Sequence, residues 1–246
     1  MTGFLSNPAA RPLLEDLAAA NRILAAHGVV DGYGHVSVRS PVDPGRYFLA
    51  RSVAPETVVV ADIMEFDLDS IPVDQAGRAV YLERFIHGEI YRARPDVHAV
   101  VHNHSPSVIP FGATPVPMKP MYHMSAFVGE GVPVFEIRDT AGDATDMLVR
   151  SGPLGQALAR TLGNRPAALM RGHGSVVVAP SLPLVVARSI YLEMNARLQM
   201  QAMAIAGPGG NINYLTAAES AAVTEMMGDY RRSWDMWRAK VIGQIK

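Results

Sequence analysis

The run from Val97 to His102 constrains the fold more than any other stretch of this chain. It reads Val-His-Ala-Val-Val-His and passes into Asn103, His104, Ser105 and Pro106. A short apolar run bounded behind by Pro95 reads as a buried strand. Side chains alternate across a strand, so His102 and His104 face the same way where it opens into a loop. The chain must therefore build a sheet in which a buried strand delivers two imidazoles to one spot. Such a pair suits zinc, manganese, iron or cobalt; two ordinary hydrogen-bonded histidines are the plain alternative. His98 shares the strand face but stands about 13 Å from His102 at strand rise, too far for one ion.

A third imidazole follows about 70 residues on, in Arg171-Gly172-His173-Gly174. Strand-like runs, Ala167 to Met170 and Ser175 to Ala179, flank it, and the two glycines permit a tight turn or a close backbone approach. Taken alone, His173 reads as the tip of a hairpin. With His102 and His104 it completes the three protein ligands of a catalytic metal site, which leaves positions open for substrate or water. Glu83 and His87 stand one helical turn apart. Glu83 suits an acid or base, or a further metal ligand; a solvated surface pair is the plainer reading. Arg51 and Arg171 each lie near a strand end, where a guanidinium fork can hold a substrate carboxylate. His27, at a helix end, reads as a partner for the helix C-terminus.

The remaining elements mix strands and helices without strict alternation. Helical spacing covers Leu13 to His27, Val80 to Arg92 with Leu82, Phe85, Ile86 and Ile90 inward, the stretch around Leu154, Leu158 and Leu162, and Pro183 to Ile205. Thr216 and Glu219 form a capping box that opens a helix to Met227. Trp234 and Trp237 mark a helical tail that docks elsewhere. Asp31 to Gly34 is a turn, and His35 to Arg39, Tyr47 to Ala50 and Glu65 to Asp69 alternate as strands. The pattern predicts an α/β protein with three layers, α/β/α, around one sheet. No repeat or linker divides the 246 residues, so one domain is expected over 1–246, with its core at about 13–205 and a helical tail over 206–246.

Composition narrows the partners. There is no cysteine, which leaves histidine and carboxylate as metal ligands and is compatible with the cytoplasm. The net charge is −1 and no basic run interleaves with aromatics, so no nucleic-acid partner is expected. The N-terminus lacks the pattern of a signal peptide. The apolar stretch from Leu182 is broken by Arg188 and Glu193, so no membrane partner is expected either. Only 18% of residues are charged, which fits a large core or extensive subunit contacts.

Glu83, His87, Tyr91, Arg94-Pro95-Asp96 and Ala99 to His104, followed by Gly172-His173-Gly174, resemble the class II aldolase/adducin family in order and spacing. Gly34 to Arg39 is similar to the family's Gly-Asn-x-Ser segment. The resemblance covers about residues 13–205. It implies a mostly antiparallel central sheet, and one divalent metal ion per subunit held by His102, His104 and His173. That ion would be Mn2+ or Zn2+, with Co2+ or Fe2+ open. It also implies Glu83 as a catalytic residue, and a homo-oligomer, usually a tetramer, with the site near a subunit interface.

The departures from the family pattern point to the reaction. The sugar-phosphate aldolases of this family bind phosphate with a Ser-Ser pair where this chain has Tyr81 and Leu82. Their Thr-Pro-Ser-Gly-like segment is here Ala50-Arg51-Ser52-Val53, their asparagine is His35, and their catalytic tyrosine aligns with His123. A dismantled phosphate site with an added arginine resembles the family's decarboxylase branch, which includes 3-hydroxy-2-methylpyridine-4,5-dicarboxylate 4-decarboxylase and the dihydroxyphthalate decarboxylases. The expected function is metal-dependent decarboxylation of a small hydroxylated aromatic or heteroaromatic dicarboxylate. Glu83 or His123 would protonate the ring carbon, with Arg51, Ser52, His35 and Arg171 around the substrate. An aldolase or epimerase acting on a hydroxylated or sugar substrate, and a non-enzymatic adducin-like binding module, are the other two readings.

Overall fold

The computed structural model describes residues 8–245. Seven strands form one sheet in the order β3-β2-β1-β4-β7-β6-β5. They are β1 (His35–Arg39), β2 (Arg46–Ala50), β3 (Ile63–Asp67), β4 (Ala99–Asn103), β5 (Val134–Phe135), β6 (Ala167–Met170) and β7 (Gly174–Ala179). All neighbouring pairs run antiparallel except β5 with β6. The helices are α1 (Arg11–Ala26), α2 (Phe85–Ala93), α3 (Ile109–Ala113), α4 (Arg138–Ala141), α5 (Gly152–Leu162), α6 (Leu182–Ala206), α7 (Ala217–Met227) and α8 (Arg231–Val241). Helices α1, α6 and α8 pack together, with α6 against β4 and β7, while α2 and α5 pair and α5 lies against β5 and β6. The result is the expected α/β arrangement of three layers.

Strand β4 lies at the centre of this sheet, buried throughout. Buried on both faces, it reads as a continuous apolar run rather than an alternating one. Each of Val100 and Val101 contributes about 1.5–3 kcal/mol by leaving water. The register sets His102 opposite His35 on β1, and Asn103 opposite Ser175 on β7. The ends of three strands thus meet at His102.

Strand β5 and helices α3 and α4 have no counterpart in the sequence pattern, and two expected elements have displaced limits. Strand β3 ends at Asp67, two residues early, because Asp67 Oδ1 accepts from the Ile71 amide at 2.9 Å and Ser70 turns the chain at φ 62°. The helix expected from Val80 starts at Phe85; Leu82–Arg84 form a tighter turn, and Glu83 has non-helical angles of φ −89° and ψ 17°. The Arg84 guanidinium fixes this entry by donating to the carbonyls of Ser70 and Tyr81. In consequence Leu82 points outward, 59% exposed, and Glu83 turns inward. The tail docks on its own chain: Trp234 and Trp237 are buried, Arg238 pairs with Asp16 at 2.5 Å, and the Trp237 ring meets His27 edge-on.

Candidate metal centre

The structure brings His102, His104, His173 and Glu83 together, with one donor atom from each within 4.8 Å of the others. Four separate pieces of chain supply them. His102 is the penultimate residue of β4, and His104 follows its end on the same side. His173 sits in the turn between β6 and β7, and Glu83 in the turn before α2. The glycines about His173 have distinct tasks. Gly172 adopts φ 62°, and a Cβ on Gly174 would stand 1.9 Å from the Asn103 carbonyl oxygen. Only glycine lets β7 lie so close to the His-Asn-His segment.

Each imidazole uses Nδ1 for support. His102 Nδ1 lies 3.2 Å from the Ser175 carbonyl, His173 Nδ1 lies 2.9 Å from the Met147 carbonyl, and His104 Nδ1 lies 3.2 Å from Asp31 Oδ2. A carbonyl only accepts, so His102 and His173 carry hydrogen on Nδ1 and turn Nε2 toward the cluster. This is the outer support found behind metal-binding histidines. The Nε2 atoms converge: those of His104 and His173 are 3.0 Å apart, and Glu83 Oε2 lies 3.3 Å from His102 Nε2 and 3.4 Å from His173 Nε2. His102 Nε2 is buried and makes no hydrogen bond. Two nitrogens each about 2.1 Å from one ion stand about 3.0 Å apart at a right angle and about 3.4 Å apart at the tetrahedral angle. The spacing and the orphaned Nε2 fit a divalent cation. The cluster opens on one side only, since the His104 side chain is 21% exposed and that of His102 is closed off.

Glu83 is held from behind by the Val149 amide, which donates to Oε1 at 2.9 Å. Burial opposes a charge on this carboxyl, but His102 and His173 beside it outweigh burial and hold it far below the usual carboxylate range. The Met147–Val149 segment thus supports both Glu83 and His173. It does so at a cost, because Met147 adopts φ 71°, a region that side chains rarely occupy.

Other side chains singled out in the sequence fall into two groups. His35 is buried with its ring 5.1 Å from that of His102. The Tyr81 ring lies 4.6 Å from His35, and its hydroxyl donates to the Val53 carbonyl. Arg51 is part-exposed and pairs through Nε with Asp62 at 2.7 Å. Ser52 is exposed, and its amide donates to the Ala79 carbonyl. Arg171 is two residues from His173, paired with Glu136 at 2.5 Å. His123, by contrast, is exposed beside the Tyr122 ring and does not join the converging side chains.

Three supports escape a reading of the sequence. Asp31 sits in the Asp-Gly-Tyr-Gly turn, where its Oδ1 caps the amides of Tyr33 and Gly34 and frees Oδ2 for His104. An aspartate in such a turn is a detectable signal, but not its target. Glu193 on α6 accepts from Ser105 Oγ and the Ser107 amide, steadying the loop after His104. The Val149 amide leaves no trace in sequence at all. A cleft of about 570 Å3 among Arg94, Phe127, Arg188 and Ser220 contains none of the converging side chains.

Comparison with known proteins supplies the deciding observation. Residues 15–200 match the model of the Class II Aldolase and Adducin N-terminal domain. The chain belongs to this family. It is 36% identical over 254 residues to Decarboxylase tropJ of Talaromyces stipitatus, covering 95% of each chain. It is 29% identical to the 3,4-dihydroxyphthalate decarboxylase of Arthrobacter keyseri, covering 91% of this chain and 90% of that one. Among solved structures, the L-fuculose 1-phosphate aldolase from Glaciozyma antarctica PI12 superposes with a TM-score of 0.79 at 22% identity, over 97% of this chain and 93% of that one. That last likeness is one of fold. The family member described here is an enzyme of the lyase class, and its curated relatives include decarboxylases. No helix among the described residues is long and apolar enough to cross a membrane.

Proposed function

We propose that this chain is a metal-dependent decarboxylase of a hydroxylated aromatic or heteroaromatic dicarboxylate. The observation that carries the reading is the convergence of three imidazoles with the Glu83 carboxylate, in a chain 36% identical to a decarboxylase. His102, His104 and His173 would hold a divalent ion, which when bound would supply a Lewis acid for the negative charge that decarboxylation places on oxygen. Manganese and zinc are the first candidates, with cobalt and iron next.

The protein's own groups do the rest. Glu83, ionised beside its histidines, takes the proton of the ring hydroxyl as substrate binds. Carbon dioxide departs without the electron pair of the broken bond, and Glu83 returns the proton to the ring carbon that keeps it. Solvent then reprotonates the ring oxygen, so the sum is carboxylate plus one proton going to carbon dioxide and a new C–H bond. Tyr81 stands where the sugar-phosphate aldolases keep a small hydroxyl. Its ring fills that space and its hydroxyl is tied to Val53, which favours a flat ring over a phosphate. Arg51 and Arg171 offer guanidinium groups for the spectator carboxylate, each steadied by one carboxylate of its own. A homo-oligomer is part of this proposal, with exposed Leu82 and exposed His123 as the side chains offered to a neighbouring subunit.

Carbon dioxide release from a small panel of hydroxylated dicarboxylates, run beside sugar phosphates, tests the proposal. Release from an ortho-hydroxylated dicarboxylate is expected. Cleavage of a sugar phosphate to a triose, with no carbon dioxide from the panel, would overturn it in favour of an aldolase.

A further inference from the structure

Behind His102 stand four buried polar side chains that the mechanism above does not use. His35 Nδ1 and His87 Nε2 are 2.6 Å apart, His87 Nδ1 and Ser37 Oγ are 2.6 Å apart, and Ser37 Oγ and the Tyr91 phenol oxygen are 2.8 Å apart. None of the four is more than 1% exposed. Distances alone leave the direction of this train open, because every junction can be written either way. The donor stock of its most restricted member fixes it. Tyr91 has one O–H, and Ser37 Oγ is its only acceptor among the described residues. Arg39, whose guanidinium lies 4.7 Å over the Tyr91 ring, has donors only and gives them to the carbonyls of Val97, Pro44, Tyr91 and Arg94.

The remaining assignments follow one from another. Tyr91 donates to Ser37. The single hydrogen of Ser37 then goes to His87 Nδ1, which must be bare. His87 carries its hydrogen on Nε2 and donates it to His35 Nδ1. His35 is left with its own hydrogen on Nε2. Writing the train in reverse would strand the Tyr91 hydrogen in the interior without an acceptor, which folded proteins avoid. With Nδ1 of each ring acting as an acceptor, both rings are neutral, and burial favours this state at His87, which it pushes down to about 3.

We infer that Tyr91, Ser37 and His87 lock His35 as a neutral Nε2–H tautomer, a preset hydrogen-bond donor for an oxygen of the substrate. His35 faces His102 across the β1–β4 ladder, and its Nε2 has no protein partner among the described residues. A donor locked in place before binding stabilises an oxygen that gains charge without any rearrangement during the reaction. It also makes His35 the wrong tautomer to act as a base through Nε2. His87, Ser37 and Tyr91 are positioning residues in this account. The tautomer lock stands on hydrogen bonding alone; only the word substrate rests on the function proposed above.

The 15N spectrum of histidine-labelled, zinc-loaded protein reads the tautomers directly. Both His35 and His87 are expected to show a protonated Nε2 and a bare Nδ1. Tyr91→Phe removes the anchor, and a population of His35 with the hydrogen on Nδ1 is expected to appear. His87→Gln keeps a donor toward His35 Nδ1 and is expected to preserve the His35 tautomer, whereas His87→Leu is not. Decarboxylation is expected to follow the tautomer, with kcat lowered about tenfold or more in Tyr91→Phe and KM nearly unchanged. A wild-type His35 that carries hydrogen on Nδ1, an imidazolium at either ring, or an unchanged spectrum in Tyr91→Phe would each overturn the inference. The expected spectra with no carbon dioxide from any substrate would sink the decarboxylase assignment alone.

Discussion

Replacing Gly174 with alanine tests whether the backbone around His173 is as tightly specified as the distances require. A Cβ at this position would stand 1.9 Å from the Asn103 carbonyl oxygen, 2.9 Å from its carbon and 3.0 Å from the His104 Cα. All three atoms are backbone, and they belong to the segment that carries His102 and His104. Nothing flexible can step aside, so either β7 separates from β4 or the His-Asn-His segment moves. Overpacking of this kind costs about 1–3 kcal/mol where side chains can adjust, and more where backbone must shift. An expected loss above about 3 kcal/mol corresponds to a Tm lowered by about 6 °C or more in a chain of this size. Gly172→Ala is the control. Its added Cβ meets only the Met147 methyl at 3.7 Å, so the cost is conformational, at φ 62°. A left-handed alanine costs about 1–2 kcal/mol, and alanine's smaller unfolded-state entropy offsets about 0.4–1 of that. The expected fall in Tm is about 2–4 °C. Thermal unfolding and metal analysis of both variants provide the assay. Gly174→Ala should lose metal and stability far beyond Gly172→Ala. A Gly174→Ala protein with wild-type Tm and metal content would refute the argument.

Asp31→Asn weakens the support behind His104 while leaving the three imidazoles in place, and metal affinity is expected to fall about 10–100-fold; an unchanged dissociation constant by competition with a chelator would mean that Asp31 serves only its turn. The pH dependence of stability carries the mark of His87. This ring is held near 3 in the folded chain against 6.5 ordinarily, so between those limits the unfolded chain binds more protons and stability falls as pH drops. The slope is at most about 1.4 kcal/mol per pH unit, and His87→Gln should flatten it in urea unfolding of chelator-stripped protein at about pH 7 and about pH 5. Equal slopes in the two proteins would contradict this. Arg51→Ala is expected to raise KM for a dicarboxylate at least about tenfold more than for its monocarboxylate analogue, as befits loss of a charged hydrogen bond. Steady-state kinetics that show the same change for both substrates would remove Arg51 from the spectator-carboxylate role.

Local rules made much of this architecture legible. The apolar run into His102, the alternation that sets His104 beside it, and the glycines about His173 each reflect chemistry within a few residues. So do the capping box at Thr216 and the limits of α6, which begins at Leu182 and ends at Ala206. Glu83 marks the boundary of such rules. Its helical spacing with His87 suggested one face of one helix, yet a tight turn held by Arg84 aims Glu83 at the cluster and leaves His87 against His35. The target of Asp31 was illegible because it lies far along the chain, and the supports at Met147 and Val149 were illegible because they act through groups that any sequence contains. Backbone carbonyls and amides carry no signature. Met147 also adopts an angle that its side chain argues against, and only the packed loop dictates it.

Central here is whether the Nε2 atoms of His102, His104 and His173 hold an ion that the reaction needs. Titrating chelator-stripped protein with Mn2+ or Zn2+, while recording carbon dioxide release from an ortho-hydroxylated dicarboxylate, measures this in one experiment. Negligible release is expected at the start, rising to saturation at one ion per chain. Full release from the stripped protein, with no change as metal is added, would contradict it.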